Sequence, residues 1–382
     1  LRDFHGYATH KGTTYNAFLI KGEKNILIDT VKETSREEFL TRLTDVIDIK
    51  DIDYIISNHS EMDHSGLLPE ITALAKPEKI IASVMGKKAL DAHFGELGAP
   101  VEAVKDLETL KLGNYTFKFI EGRMLHWPDS MFSFFQEDGI LFTNDVFGLH
   151  LASGERFEDQ FKGQEQMLDY ELAKYYANIM MPYASFVTKD IEKIEKQNLD
   201  IKIIANYHSP MVRKNVKKPF DLYKKWADQN CLQKAVIIYD TMWNSTGNMA
   251  RAVSEGFIDA GIETKLMRLS MSHRSDVATE ILNAGAIVIG SPILNGQIFP
   301  TVVDVLSYLK GLKPNNLIGA TIGSFGWKSD INSQLNKYLE DMGVKVVHSG
   351  VKAKYVPDQN ILEDCYNLGQ ELSNKLKEEC LV

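Results

Sequence analysis

Short apolar runs separated by polar loops fill the first part of the chain. Residues 17–20 and 25–29 flank the polar turn Lys21-Gly22-Glu23-Lys24 and read as an opening hairpin. The run Tyr54-Ile55-Ile56 stops at Ser57, residues 115–121 alternate, and 139–142 and 201–205 are short apolar strands. Beyond residue 234 the rhythm changes. A buried-type strand at 235–239 leads through the polar loop 241–246 into an amphipathic helix at 247–261, which ends in glycine. Further strands are expected at 263–269, 286–290, 317–324 and 344–351, separated by helical patterns at 275–283, 299–309, 329–342 and 360–378. Strand and helix in strict alternation predict a doubly wound five-stranded parallel sheet, with its ligand at the carboxyl ends of strands one, three and four. Between the two patterns, Pro210, Pro219 and a group of lysines accompany a helical run at 220–230. The expected division is therefore 1–230 and 235–382, with a linker at about 209–234.

Composition narrows the classes. A chain of 382 residues suits two domains. With 44% hydrophobic residues, a formal charge of -9 and a pI near 5.6, each half can bury a core, and the whole is an ordinary acidic protein. There is no basic stripe for nucleic acid; Lys214, Lys217, Lys218, Lys224 and Lys225 read as a solvated linker face. No apolar run reaches the length of about 18 residues needed to span a bilayer, and no signal pattern opens the sequence, so a cytoplasmic location is expected. Cys231, Cys365 and Cys380 make no C-x-x-C pair and imply neither a disulfide scaffold nor an iron–sulfur cluster.

The chemistry concentrates at strand ends. Asn58 to Gly66 reads NHSEMDHSG, placing His59, Glu61, Asp63 and His64 directly after a strand, with alternate side chains able to face one side. His126 follows the strand at 115–121, Asp145 follows 139–142, and His208 follows 201–205. One histidine alone at such a place is ordinary surface or core. Four of the chain's ten His together with three acids, all past strand ends, are not what a satisfied core produces. Two imidazoles and two carboxylates in one short run carry too much hard oxygen for a closed structural zinc site and suit iron, manganese or a catalytic zinc pair. Seven ligands can serve two metals with one carboxylate to bridge.

The second half offers a different site. Thr241-Met242-Trp243-Asn244-Ser245-Thr246 precedes a helix and offers hydroxyls, backbone N–H groups and the positive end of the helix dipole to a phosphate. With neither a lysine-bearing P-loop nor a G-x-G-x-x-G fingerprint, the phosphate is a monophosphate, and flavin mononucleotide (FMN) fits. The ends of strands three and four read Ser291-Pro292-Ile293-Leu294-Asn295-Gly296 and Ser324-Phe325-Gly326-Trp327. Singly, each is turn chemistry; three such loops in register are a stronger signal.

The H-x-E-x-D-H run, followed by H-W-P-D, an N-D pair and a later His, resembles the diiron domain of flavodiiron proteins, built on the metallo-β-lactamase fold. The later loops resemble those of flavodoxin. The fold so implied is α/β: an N-terminal metallo-β-lactamase-like αββα sandwich, then a flavodoxin-like sheet. The resemblance places His59, Glu61 and His126 on one iron, Asp63, His64 and His208 on the other, and Asp145 between them. Glu61, where hydrolases of the fold carry His, marks a redox pair. Members differ on whether the His at the position of His64 binds, and ANYHSPMVRK departs from the usual A-P-S-H-G around His208. In the flavodoxin-like half the first loop would hold the phosphate, Trp327 would face the ring, and Asn295-Gly296 would meet it through the backbone. His5 and one of Tyr175 and Tyr176 would border the metal pocket; equally, His5 caps a loop and the tyrosines pack in a helix. Asp129 is outside the ligand set.

The family's activity is reduction of oxygen to water or nitric oxide to nitrous oxide, scavenging these gases in an anaerobe or microaerophile. Without a rubredoxin-like module the chain matches the minimal two-domain form. It would then need an external donor such as rubredoxin, another flavoprotein or a reduced deazaflavin coenzyme. A head-to-tail homodimer, or a dimer of dimers, would set one subunit's flavin against the other's iron. Two other classes stand beside this reading. One is a dizinc hydrolase of the same fold, separable by metal analysis. The other is a flavodoxin-like electron carrier with a vestigial metal site, separable by single-turnover reoxidation.

Overall fold

The computed structural model describes residues 4–327 and 330–380. Contacts divide them into two compact units. Thr9–Tyr175 and Tyr183–Lys224 form the first; residues 4–8, Tyr176–Pro182 and residues 225–380 form the second. The short stretches 4–8 and 176–182 thus group with the second unit, an interleaving that one linear cut does not express.

The first unit is a sandwich of two five-stranded sheets. In one, Phe18–Ile20, Ile26–Ile28, Tyr54–Ser57, Lys79–Ser83 and Val101–Val104 lie in chain order, parallel after the opening hairpin. In the other, Ile203–Ala205 pairs in parallel with Ile140–Phe142, followed by antiparallel Met131–Phe135, Tyr115–Glu121 and Thr109–Leu112. Strand alternation explains the layering. Ile26, Ile28, Tyr54, Ile56 and Ile81 face inward onto Phe117, Phe119, Met131, Phe135 and Phe142 of the opposite sheet. Their neighbours Leu27, Ile55, Ile80 and Ala82 face outward under Leu43, Leu68, Ile71 and Leu90 of the covering helices. Four strands carry no period that the sequence reading picks up: Lys79–Ser83 and Met131–Phe135 are buried on both faces, and Val101–Val104 and Thr109–Leu112 are short edge strands with exposed positions.

The second unit is a parallel sheet in the order Glu263–Arg268, Lys234–Tyr239, Ala286–Leu294, Ile318–Phe325, then Lys345–Val346 and Val351–Lys354. Numbered along the chain this is 2-1-3-4-5, the doubly wound order with a switch between strands one and three. Helices Ser245–Asp259 and Gln359–Glu379 cover one face. They approach closely enough that a side chain at Gly256 would strike the Tyr366 carbonyl and the Cα of Gly369.

Four expectations are corrected here. The single strand at 344–351 is broken, because Gly350 adopts φ +97 and sits against the Thr321 carbonyl, where no side chain fits. The strand at 286–290 continues to Leu294 and turns back through Asn295 and Gly296, both at positive φ, into Gln297–Ile298. That is the hairpin turn the Asn-Gly dipeptide favours. The first helix starts at Ser245, two residues earlier than expected. Cys231 and Cys380 are joined in a disulfide, and Cys365 is buried and free. The helix expected at 329–342 is Ile331–Asp341; Ser329 lies outside the described residues. No helix among the described residues is long and apolar enough to cross a membrane.

Candidate functional site

Four loops meet at one end of the sandwich. Asn58 ties the first: its N–H donates to Asp29, its carbonyl accepts from Met131, and its side-chain amide donates to Ser133 and Tyr207 of the other sheet. The chain does not stay extended after this point. Met62–Ser65 forms one helical turn with Glu61 at its start, so Asp63 projects from a helix and not from an alternate strand position, and His64 comes from the same turn. Ile140–Phe142 and Ile203–Ala205 are neighbours, and the Tyr207 N–H donates to the Asn144 carbonyl, which brings Asp145 beside His208. His126 arrives on the loop after Tyr115–Glu121.

The seven side chains gather as two groups, His59, Glu61, His126 and Asp145 in one, and Asp63, His64 and His208 in the other, the donor atoms within each lying within 4.8 Å. Asp145 faces both. Its Oδ2 is 3.0 Å from His126 Nε2 and 3.7 Å from His59 Nε2, while its Oδ1 is 2.9 Å from His64 Nε2 and 3.3 Å from His208 Nε2. Glu61 Oε2 stands 3.2 Å from both His59 and His126 Nε2; Asp63 Oδ2 stands 3.3 Å from His64 and 3.6 Å from His208 Nε2. Two donors bound at about 2.1 Å to one ion, at cis or tetrahedral angles, stand roughly 3.0–3.4 Å apart. The spacings therefore suit ligands around two ions.

Orphaned polar atoms point the same way. Both carboxylate oxygens of Asp63, Oδ1 of Asp145 and both ring nitrogens of His64 are buried without a well-directed hydrogen bond, an arrangement costly in a plain core and explained by a cation. Burial works against the charge on Asp145, yet His64, His126 and His208 hold its carboxyl well below the usual range. Burial likewise opposes protonation of His64, but Asp63 and Asp145 outweigh it and push the imidazole up to about 10. Protons on His59, His64 and His126 thus balance the carboxylates until a metal displaces them. The sign of the linkage follows. A histidine raised from 6.5 to about 10 stabilises the fold fully below pH 6.5 and loses that contribution as pH rises through about 10. The chelated protein is expected to melt at progressively lower temperature from pH 6.5 to pH 10, and metal-loaded protein much less so, as thermal scans with and without chelator would show.

Residues around the cluster set the tautomers. Asp129, held down to about 2 against its burial by His59 and Ser60, accepts from His59 Nδ1 at 3.1 Å and from the Ser60 N–H at 2.6 Å. The Thr14 carbonyl accepts from His208 Nδ1 at 2.7 Å. Both imidazoles are thereby left with Nε2 directed inward. Asp129 had no place in the sequence-based ligand set; its signal was its position three residues after His126. Asp129→Asn is expected to weaken metal retention about 10–100-fold with the fold intact, measured as metal lost on dialysis against a graded chelator. A fifth imidazole, His150, also missed, lies 4.9 Å from the His208 ring and 5.1 Å from Tyr175, with Nδ1 2.7 Å from Thr13 Oγ1. Of the residues expected at the border, Tyr175 stands 5.8 Å from His208. Exposed His5, against Phe4, and buried Tyr176, against Trp226, group with the second unit instead.

In the second unit, the segment Thr241–Thr246 follows strand one, while Ser291–Gly296 and Ser324–Trp327 comprise the last residues of strands three and four and the turns after them. The first and third are tied by Thr246 Oγ1 and Ser324 Oγ at 2.9 Å. Ser245, Thr246 and Gly247 occupy the buried first turn of a fifteen-residue helix, whose leading N–H groups have no intrahelical partner. Trp243, two residues before that turn, and Trp327, three residues after Ser324, are 89% and 90% exposed, large apolar faces left open. A phosphate at the helix start and a flat ring against such a face fit these segments.

Residues 13–209 match the model of the ODP family beta lactamase, and residues 237–369 match flavodoxin. Over 379 residues the chain is 42% identical to the rubredoxin-oxygen oxidoreductase of Megalodesulfovibrio gigas, covering 98% of this chain and 94% of the relative. It is 39% identical to the nitric oxide reductase of Moorella thermoacetica, with the same coverage. Among solved structures, rubredoxin oxygen:oxidoreductase from Desulfovibrio gigas superposes with a TM-score of 0.95 at 41% identity, over 99% of this chain and 94% of the other. The flavodiiron protein from Giardia intestinalis gives 0.94 at 30% identity, over 100% and 93%.

Proposed function

This chain belongs to the flavodiiron protein family, and on that premise we propose that it is an oxidoreductase in which FMN passes electrons to a diiron centre that reduces oxygen to water, nitric oxide to nitrous oxide, or both. When bound, the irons supply open coordination positions and electrons for the diatomic, and the flavin restores those electrons. His59, Glu61 and His126 would hold one iron and Asp63, His64 and His208 the other. The division of Asp145, Oδ2 to the first group and Oδ1 to the second, is the observation that carries this reading. Glu61 adds a second hard oxygen to its group, which favours iron over a hydrolytic zinc pair. Asp129 and the Thr14 carbonyl hold the His59 and His208 rings in the tautomer that presents Nε2. Tyr175 closes the His208 side with a ring whose hydroxyl keeps its proton, burial and the nearby Asp145 raising it well above its ordinary range. In the second unit, Thr241 to Thr246 would take the phosphate, with Ser291 to Gly296 and Ser324 to Trp327 around the flavin ring.

The proposal extends to assembly and donor. A head-to-tail homodimer, or a dimer of such dimers, would bring the flavin of one chain to the metal of another, and rubredoxin, another flavoprotein or a reduced deazaflavin would supply electrons. Two tests decide the core of it. Purified chain is expected to carry two irons and one FMN, and chemically reduced protein mixed anaerobically with each gas in a stopped-flow should reoxidise within a turnover. Two zincs with hydrolytic activity would make it a hydrolase. A flavin that reoxidises equally fast in metal-stripped protein would make it an electron carrier.

A further inference from the structure

The cysteines Cys231 and Cys380 occupy the two ends of the flavodoxin-like unit. Cys231 lies three residues before its first strand, Lys234–Tyr239, and Cys380 caps the end of its last helix, Gln359–Glu379. Their Cα atoms are 5.1 Å apart across a sequence separation of 149, inside the range that a disulfide bridges without backbone movement. The surroundings are shaped to the pair. A side chain at Gly285 would come within 2.7 Å of Cys231 Sγ and 2.6 Å of Leu376, so the missing side chain there leaves the room that the sulfur takes. Cys231 is half-buried at the surface, so a small oxidant or reductant reaches it, whereas Cys380 is 4% exposed. The remaining cysteine does not compete. Cys365 is fully buried in the core of the same unit, fifteen residues or roughly 22 Å along the helix from Cys380, and burial pushes its thiol up to about 12.

We propose that Cys231 and Cys380 form a reversible thiol–disulfide site that takes oxidising equivalents from peroxides and staples the entry and exit of the flavodoxin-like unit. The Cys231 thiolate attacks the peroxide O–O bond, forms a sulfenic acid and releases water. The Cys380 sulfur then displaces the hydroxyl as a second water, so two thiols and one hydrogen peroxide yield one disulfide and two waters. A dithiol reverses it. The bond closes a loop over nearly the whole unit, which restricts its unfolded chain far more than its folded one. This inference does not depend on the identity of the metal or flavin.

The buried Cys365 thiol provides the readout, since it is labelled only when the unit opens. The full chain would be treated with hydrogen peroxide or with dithiothreitol and cleared of reagent. A maleimide would then be added in moderate urea, and each cysteine followed by peptide mass spectrometry. The peroxide-treated chain is expected to yield a linked Cys231–Cys380 peptide and to label Cys365 at least about 100-fold more slowly than the reduced chain. Cys231→Ser, whose site is half-exposed and tolerates the change, should label Cys365 at the reduced rate whatever the treatment. Failure to form the linked peptide, or labelling of Cys365 at equal rates in linked and reduced protein, would overturn the proposal.

Discussion

Replacing Asp145 with Asn is expected to abolish most reduction of either gas, by roughly 10²–10³-fold, while the flavin content stays normal. The carboxylate lies between the two ligand groups, one oxygen to each, and a shared negative charge offsets the repulsion between two cations, as a neutral amide does not. The amide also presents an N–H₂ to one of the groups, where a lone pair is needed. The variant should therefore lose at least one metal, or the magnetic coupling between the two, as seen by metal analysis and spectroscopy. Its flavin should be unaffected, because the flavin loops belong to the other unit. Full metal occupancy with near-normal turnover in the variant would show that Asp145 is not the bridge.

Asn244→Asp should have the converse effect, stripping flavin while sparing metal. Asn244 is exposed, sits at the start of the helix Ser245–Asp259 at φ +67, and makes no side-chain cap. Asp is isosteric and tolerates the same backbone conformation. The new charge would repel a dianionic phosphate held at the helix start. With an effective dielectric of roughly 40 that repulsion is about 3 kcal/mol, or about 100-fold in FMN affinity, and it should shrink as salt is added. Titration of the flavin-free variant with FMN at low and high ionic strength checks both the size and the sign. An unchanged affinity would move the phosphate away from this helix.

How much of this was legible depended on how local each signal is. The ligand run at 59–64 is readable because its four side chains share one short segment. The Asn295-Gly296 turn is equally local, but reading Ser291 to Gly296 as a loop hides the strand that continues to Leu294 and pairs with Gln297–Ile298. Asp129 was treated as a bystander although it accepts from His59 and Ser60. Its role depends on a loop returning to a residue 70 positions earlier, and nothing in the H-W-P-D run itself states that. The disulfide was invisible for the same reason: Cys231 and Cys380 are separated by 149 residues, and only closure of the sheet between them brings them together.

Chain-local physics settled the strand–helix alternation beyond residue 234, six of the sandwich strands, the residue types able to bind metal and the polar loop before the first helix. These follow from side-chain period, turn chemistry and ligand hardness, all functions of near neighbours. The tertiary structure decided how the ligands divide. Asp63 and His64 turn away from His59 and Glu61 because Met62–Ser65 coils into a helical turn, and Asp145 meets both groups because its strand lies beside the one that delivers His208. A division of this kind requires angles and distances between segments far apart in sequence. Those are set when two sheets bury their apolar faces against each other, and no run of residues carries that information alone.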